Sequence, residues 1–165
     1  MAKTALKGNT VNTSGELPSI GSSAPLFTLV SNSLAPLSLE SYEGKRVILN
    51  IFPSVDTGTC ATSVRTFNKK SSELENTVVI CISKDLPFAQ KRFCGAEGIE
   101  NVEMASEFRN SKFSNDYGVL LTDGPLEGLM ARSIVVLDEE HKVIHTELVS
   151  EITEEPNYEA AISVL

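Results

Sequence analysis

Two near-continuous apolar runs, residues 46–52 and 77–82, with an amphipathic stretch between them, constrain this chain more than any other feature. Runs of this length without polar alternation suit strands buried on both faces of a sheet. Pro53 stops the first run. From Cys60 onward Val64, Phe67 and Leu74 are interspersed with Arg65, Lys69, Lys70 and Glu73, which fits a helix with one apolar face. Strand, helix and strand in that order form a βαβ unit, whose crossover is almost always right-handed and makes its strands parallel. The core is therefore expected to be α/β.

The remaining chain adds elements around that unit. Gly8-Asn9 lies between two short strand-like segments within residues 4–13 and reads as the turn of a hairpin. Pro18, Gly21 and Pro25 mark a loop, residues 27–30 a strand and Gly44-Lys45 a turn. A second helix is expected over 87–94, with Pro87 in its first turn and Gly95 and Gly98 limiting its length. Residues 102–105 read as a short strand and 108–117 as an irregular helical segment. Residues 133–137 and 142–149 form a hairpin about 138–141, and 157–165 a last helix. This order resembles a thioredoxin-like fold, with a central mixed sheet flanked by helices and an added N-terminal hairpin. No repeat or linker divides the chain, so one domain is expected over 1–165.

Bulk properties narrow the function. At 165 residues the chain is long enough to bury roughly 70% of its unfolded surface in one core. A formal charge of −8 opposes binding to nucleic acid or to anionic membranes, since phosphate affinity rests on Lys and Arg displacing counterions. Residues 1–18 carry Lys3 and Lys7 but no continuous apolar stretch suited to a signal peptide, and no apolar run is long enough to span a bilayer. A cytoplasmic protein is expected. Cys60, Cys81 and Cys94 match no zinc pattern and include no Cys-x-x-Cys pair.

Cys60 is the cysteine that the local sequence singles out. It follows the C-terminal end of a buried strand through a loop into the first turn of a helix, and open α/β sheets gather their reactive groups at such ends. Unpaired N–H groups and the partial positive charge of a helix N-terminus favour a thiolate. The segment Pro53-Ser-Val-Asp-Thr57-Gly-Thr-Cys60 matches the Pro-x-x-x-Thr-x-x-Cys motif of peroxiredoxins. The string 52–65 resembles the bacterial thiol peroxidase subfamily, and the similarity runs from the N-terminal hairpin to residues 157–161.

The resemblance implies a set of roles. Cys60 would be the peroxide-attacking thiol. Thr57 would offer a hydroxyl to sulfur and peroxide, and Pro53 would shield the sulfur and fix the loop. Arg132, in Met130-Ala-Arg132-Ser133, matches the family's distant arginine and would hold the thiolate charge and orient the peroxide. Cys94, on its own surroundings a buried helix cysteine, would be the resolving thiol that attacks the Cys60 sulfenic acid within the same chain. A thioredoxin-type dithiol would then reduce the Cys60–Cys94 disulfide. No haem, flavin or metal is required, the substrate is hydrogen peroxide or an alkyl hydroperoxide, and a homodimer is expected.

Other readings of the same residues stay open. Cys60-Ala-Thr-Ser-Val-Arg65 places an arginine after a cysteine at a helix start, as in cysteine phosphatases, although their loop has five intervening residues and this one has four. A disulfide reductase would have a second cysteine where Ser63 stands. A non-catalytic thioredoxin-like sensor would react once with peroxide without recycling. Cys81, inside the run 78–82, is expected to be buried and inert. His141 and His145 lie beside Glu139 and Glu140, but no third metal ligand is in view.

Overall fold

The computed structural model describes residues 1–165. The hairpin β1 (Lys3–Leu6) and β2 (Asn9–Asn12) forms a sheet of its own, and β3 (Thr28–Ser31) and β4 (Pro36–Ser38) lead into a 3₁₀ turn at Leu39–Tyr42. The βαβ unit follows as β5 (Arg46–Ile51), α1 (Gly58–Ser71) and β6 (Thr77–Ser83). Then come α2 (Pro87–Glu97), β7 (Glu103–Ser106), α3 (Lys112–Asp116), β8 (Ser133–Leu137), β9 (Val143–Leu148) and α4 (Tyr158–Ser163). Seven strands form one sheet in the order β4-β3-β7-β6-β5-β8-β9.

The sheet is mixed, as expected, because β5 pairs parallel with β6 and antiparallel with β8. Period-two alternation sends Val47, Leu49 and Ile51 into one core, with Phe27, Phe113 and Tyr117. Ile48 from the same strand faces the other core, where Val64 and Phe67 of α1, Phe93 of α2 and Ala161 of α4 pack. Phe67 is fully buried and meets Tyr158 edge-on at 5.2 Å, a burial that contributes roughly 1.5–3 kcal/mol. α1 is thereby pinned at its middle, with its first turn fixed at the sheet's C-terminal edge.

Several boundaries differ from the sequence expectation for local reasons. The hairpin turn is Lys7-Gly8, not Gly8-Asn9. Both residues have positive φ, 52° and 82°, as a type I′ turn requires, and Asn9 already belongs to β2. α2 runs past Gly95 to Glu97 and ends where Gly98 takes the left-handed conformation at φ 66°. The helical part of 108–117 shrinks to the five residues of α3. β4 has no counterpart in the sequence expectation. It is three residues long at the sheet's edge, where Pro36 forfeits no interior ladder bond. No helix is long and apolar enough to cross a membrane.

Candidate active site

Thr57 caps α1 from an extended conformation (φ −98°, ψ 145°), and its Oγ1 accepts a bond from the Cys60 N–H at 3.4 Å. Cys60 therefore sits in the first turn, with its side chain turned inward to 0% exposure. The hydroxyl of Thr57 donates to Ser54 O at 3.3 Å, so in this resting form it serves the loop and the cap, and not the sulfur. Pro53, Phe52 and Val55 are buried around the approach to Cys60.

The sulfur's polar neighbour is Arg132, whose Nη2 donates to Cys60 Sγ at 3.2 Å. Strand register explains the meeting. Ile51 pairs with Ser133, so the residue before β8 lies beside the loop that leaves β5. Arg132 is itself 1% exposed, donates through Nε to Ile152 O at 2.8 Å, and forms no salt bridge with any carboxylate. A buried cation without a counter-charge is strongly disfavoured. Cys60 Sγ is the side-chain acceptor that Arg132 meets, and Nη1 of Arg132 has no protein partner, leaving a donor free for an incoming group.

The carbonyl that holds Arg132 is braced from the N-terminal hairpin. Ile152 N donates to Ala5 O at 2.8 Å, and the Glu151 carboxylate accepts from Gly8 N at 2.8 Å and Lys7 N at 3.1 Å. Bonds from Thr153 and from this turn hold Glu151 down at about 2. The hairpin thus supports the guanidinium from behind.

Cys94 is half-buried on α2, and all three cysteines are free thiols. Burial raises the Cys94 thiol above its ordinary value, with a hydrogen bond from Asn32 acting in the opposite direction. Two exposed ion pairs cross from α2 toward Cys60, Arg92–Asp56 at 3.6 Å and Arg65–Glu97 at 3.0 Å. Arg65 accordingly lies on the helix surface, away from any anion cradle around Cys60, which removes the geometric basis of the phosphatase reading. Cys81 is 0% exposed, and burial pushes its thiol up to about 12 despite a 3.6 Å bond from Asn50.

Sequence reasoning missed Asp85. It follows β6, and its carboxylate accepts from Ser54 Oγ at 2.7 Å, Val55 N at 2.8 Å and Ser83 Oγ at 2.6 Å, fastening the loop that precedes Cys60. The available signal was the pair Ser83 and Asp85 at the end of the strand next to the one that feeds Cys60, where polar groups converge in open sheets.

Comparison with known proteins shows the family and the fold. The family described as Redoxin matches residues 19–162. The chain is 58% identical to a thiol peroxidase of Mycobacterium tuberculosis and 56% identical to one of Corynebacterium glutamicum, in each case over 165 residues, 100% of this chain and 99% of the relative. Among solved structures, a peroxiredoxin-like protein from Aquifex aeolicus superposes with a TM-score of 0.93 at 38% identity, covering 99% of this chain and 95% of the other.

Proposed function

The chain belongs to the Redoxin family and is a peroxide-reducing enzyme of the thiol peroxidase kind; from that premise we propose that Cys60 takes the oxygen and Cys94 resolves the product. The observation that carries the assignment of Cys60 is the 3.2 Å bond from Arg132, a buried cation with no carboxylate partner.

The Cys60 thiolate attacks one oxygen of the hydroperoxide along the O–O axis. An S–O bond forms as the O–O bond breaks, and the departing alkoxide or hydroxide leaves as an alcohol or water after taking a proton. Arg132, fixed by Ile152 O, stabilises the charge moving from sulfur to the leaving oxygen without having to reorient. Thr57 holds the turn that presents the sulfur, and Pro53 keeps bulk water from it.

The product is a Cys60 sulfenic acid. Cys94 attacks its sulfur, forming the S–S bond and releasing the oxygen as water. As a half-buried thiol with a raised value, Cys94 is a poor nucleophile while α2 is intact, so resolution follows local opening of α2. Opening is favoured by the absence of a side-chain cap at the helix start. A thioredoxin-type dithiol then restores both thiols.

We further read residues 1–165 as one catalytic domain, in keeping with relatives of matching length, acting in the cytoplasm as a homodimer. Leu86 and Phe88, 52% and 66% exposed at the start of α2, form apolar surface of the kind a partner covers. Apolar Phe52 and Val55 beside the sulfur suit alkyl hydroperoxides as well as hydrogen peroxide.

Stopped-flow consumption of hydrogen peroxide and an alkyl hydroperoxide, coupled to thioredoxin and its reductase, tests this reading. Sustained turnover in the parent and none in a folded Cys60→Ser variant is the expected result. Turnover by that variant places the nucleophile elsewhere, and one oxidation event without recycling in the parent makes the protein a sensor.

A further inference from the structure

Asp85 joins the two cysteine-bearing arms through one carboxylate. On one side it holds Ser54 Oγ and Val55 N, and Ser54 in turn receives Thr57 N and Thr57 Oγ1 on its carbonyl, at 3.2 and 3.3 Å. Ser54 Oγ also accepts from Asp56 N at 3.1 Å. On the other side, Ser83 Oγ donates to Asp85 and accepts from Gln90 Nε2 at 3.1 Å. Gln90 lies on α2, one helical turn before Cys94, is fully buried, and donates also to Ala105 O at 2.9 Å. An unbroken chain of hydrogen bonds therefore runs from the resolving helix through Gln90, Ser83, Asp85 and Ser54 to the cap of Cys60.

Other links across the same seam are of a different kind. The Arg92–Asp56 and Arg65–Glu97 pairs are exposed, and such pairs hold little. Bonds to an ionised carboxylate are roughly twice as strong as neutral ones, and Asp85 makes three of them in partly buried surroundings.

We propose that Asp85 is a positioning residue that divides the reaction between its two chemical steps, holding the loop in the form that meets peroxide and restraining the opening that lets Cys94 reach the sulfenic acid. The proposal rests on the assignment of Cys60 and Cys94 above. The peroxide step needs sulfur, Arg132 and Thr57 in register, and misplacement by about 1 Å costs on the order of 100-fold. The resolving step, as proposed above, opens α2 so that half-buried Cys94 can come within the Cα separation of roughly 4.4–6.8 Å that a disulfide requires, and Gln90 on the same helix then has to leave Ser83. Removing the carboxylate must then slow the first step and speed the second. A mutation that lowered stability away from this seam would not separate the two in opposite directions.

The test is a single turnover of the full chain with hydrogen peroxide, quenched at intervals, alkylated and read by intact mass, so that sulfenic acid and disulfide are followed separately. Asp85→Ala is expected to slow sulfenic acid formation by about 10- to 100-fold and to accelerate the following disulfide step several-fold. Asp85→Asn, which keeps the shape and one acceptor, is expected to bring both rates back toward the parent. Unchanged rates, or equal slowing of both steps, overturns the proposal. Should Asp85→Ala fail to fold, Ser54→Ala removes one bond of the chain and must move the two rates in the same opposite directions by smaller factors; unchanged rates there overturn it equally. Oxidation at Cys60 followed by a Cys60–Cys94 bond, with rates indifferent to Asp85, would sink this inference alone, whereas oxidation at another cysteine would sink the assignment beneath it.

Discussion

Cys60 and Cys81 are both 0% exposed and both pack in the same core beneath α1, yet their surroundings differ in one respect that governs chemistry. Cys60 faces the end of a helix and a guanidinium 3.2 Å away. Cys81 lies in the middle of β6, where the Asn50 amide donates to it and no cation faces it, and burial, with a smaller contribution from Cys94, drives its thiol to about 12. Burial alone thus raises a thiol, whereas Cys60 adds to burial a guanidinium with no carboxylate partner, and the proposed assignment of the nucleophile rests on that difference. The cation in turn is held in place by a backbone carbonyl, so the contrast originates in the loop after β9 as much as at the cysteine.

Removing the cation carries the largest expected effect. Arg132→Met should slow the reaction with peroxide on the order of 10²–10³-fold, the usual cost of losing a preorganised donor, while reduction of the disulfide by thioredoxin is much less affected. Rapid kinetics of the two half-reactions check this. Equal slowing of both would make Arg132 a structural residue and would leave the difference between the two cysteines unexplained. Cys81→Ser probes the other buried thiol. Thioredoxin-linked turnover is expected to stay within a few-fold of the parent, because the substituted atom keeps its Asn50 neighbour and has no part in the chemistry. A loss comparable to that of Cys60→Ser, in a protein with an unchanged circular dichroism spectrum, would make Cys81 catalytic.

Local features of the site were legible in the sequence and distant ones were not. The βαβ unit is written in consecutive residues, and Pro53, Thr57 and Cys60 lie within one loop and one helical turn, so strand end, cap and nucleophile could be placed together. Arg132 entered only through resemblance, since it meets Cys60 across 72 residues of chain and the pairing depends on the β5–β8 register. Ile152 had no signal at all, because it acts through a main-chain carbonyl that any residue supplies. Asp85 reads as a polar residue after a strand until the fold brings it to Ser54. The turn at Lys7-Gly8 was misplaced by one residue because Asn9 is a favoured turn residue, whereas the positive φ values fall on its two predecessors.

Which sulfurs join is read by mapping the disulfide in oxidised protein. After one equivalent of hydrogen peroxide, non-reducing digestion and mass spectrometry should yield a linked peptide pair containing Cys60 and Cys94, with no covalent dimer, since an intramolecular partner at high effective concentration outcompetes pairing between chains. In Cys94→Ser the same treatment should consume about one equivalent and stop, leaving a Cys60 sulfenic acid that dimedone traps. A Cys60–Cys81 link, or a disulfide-joined dimer, would contradict the account.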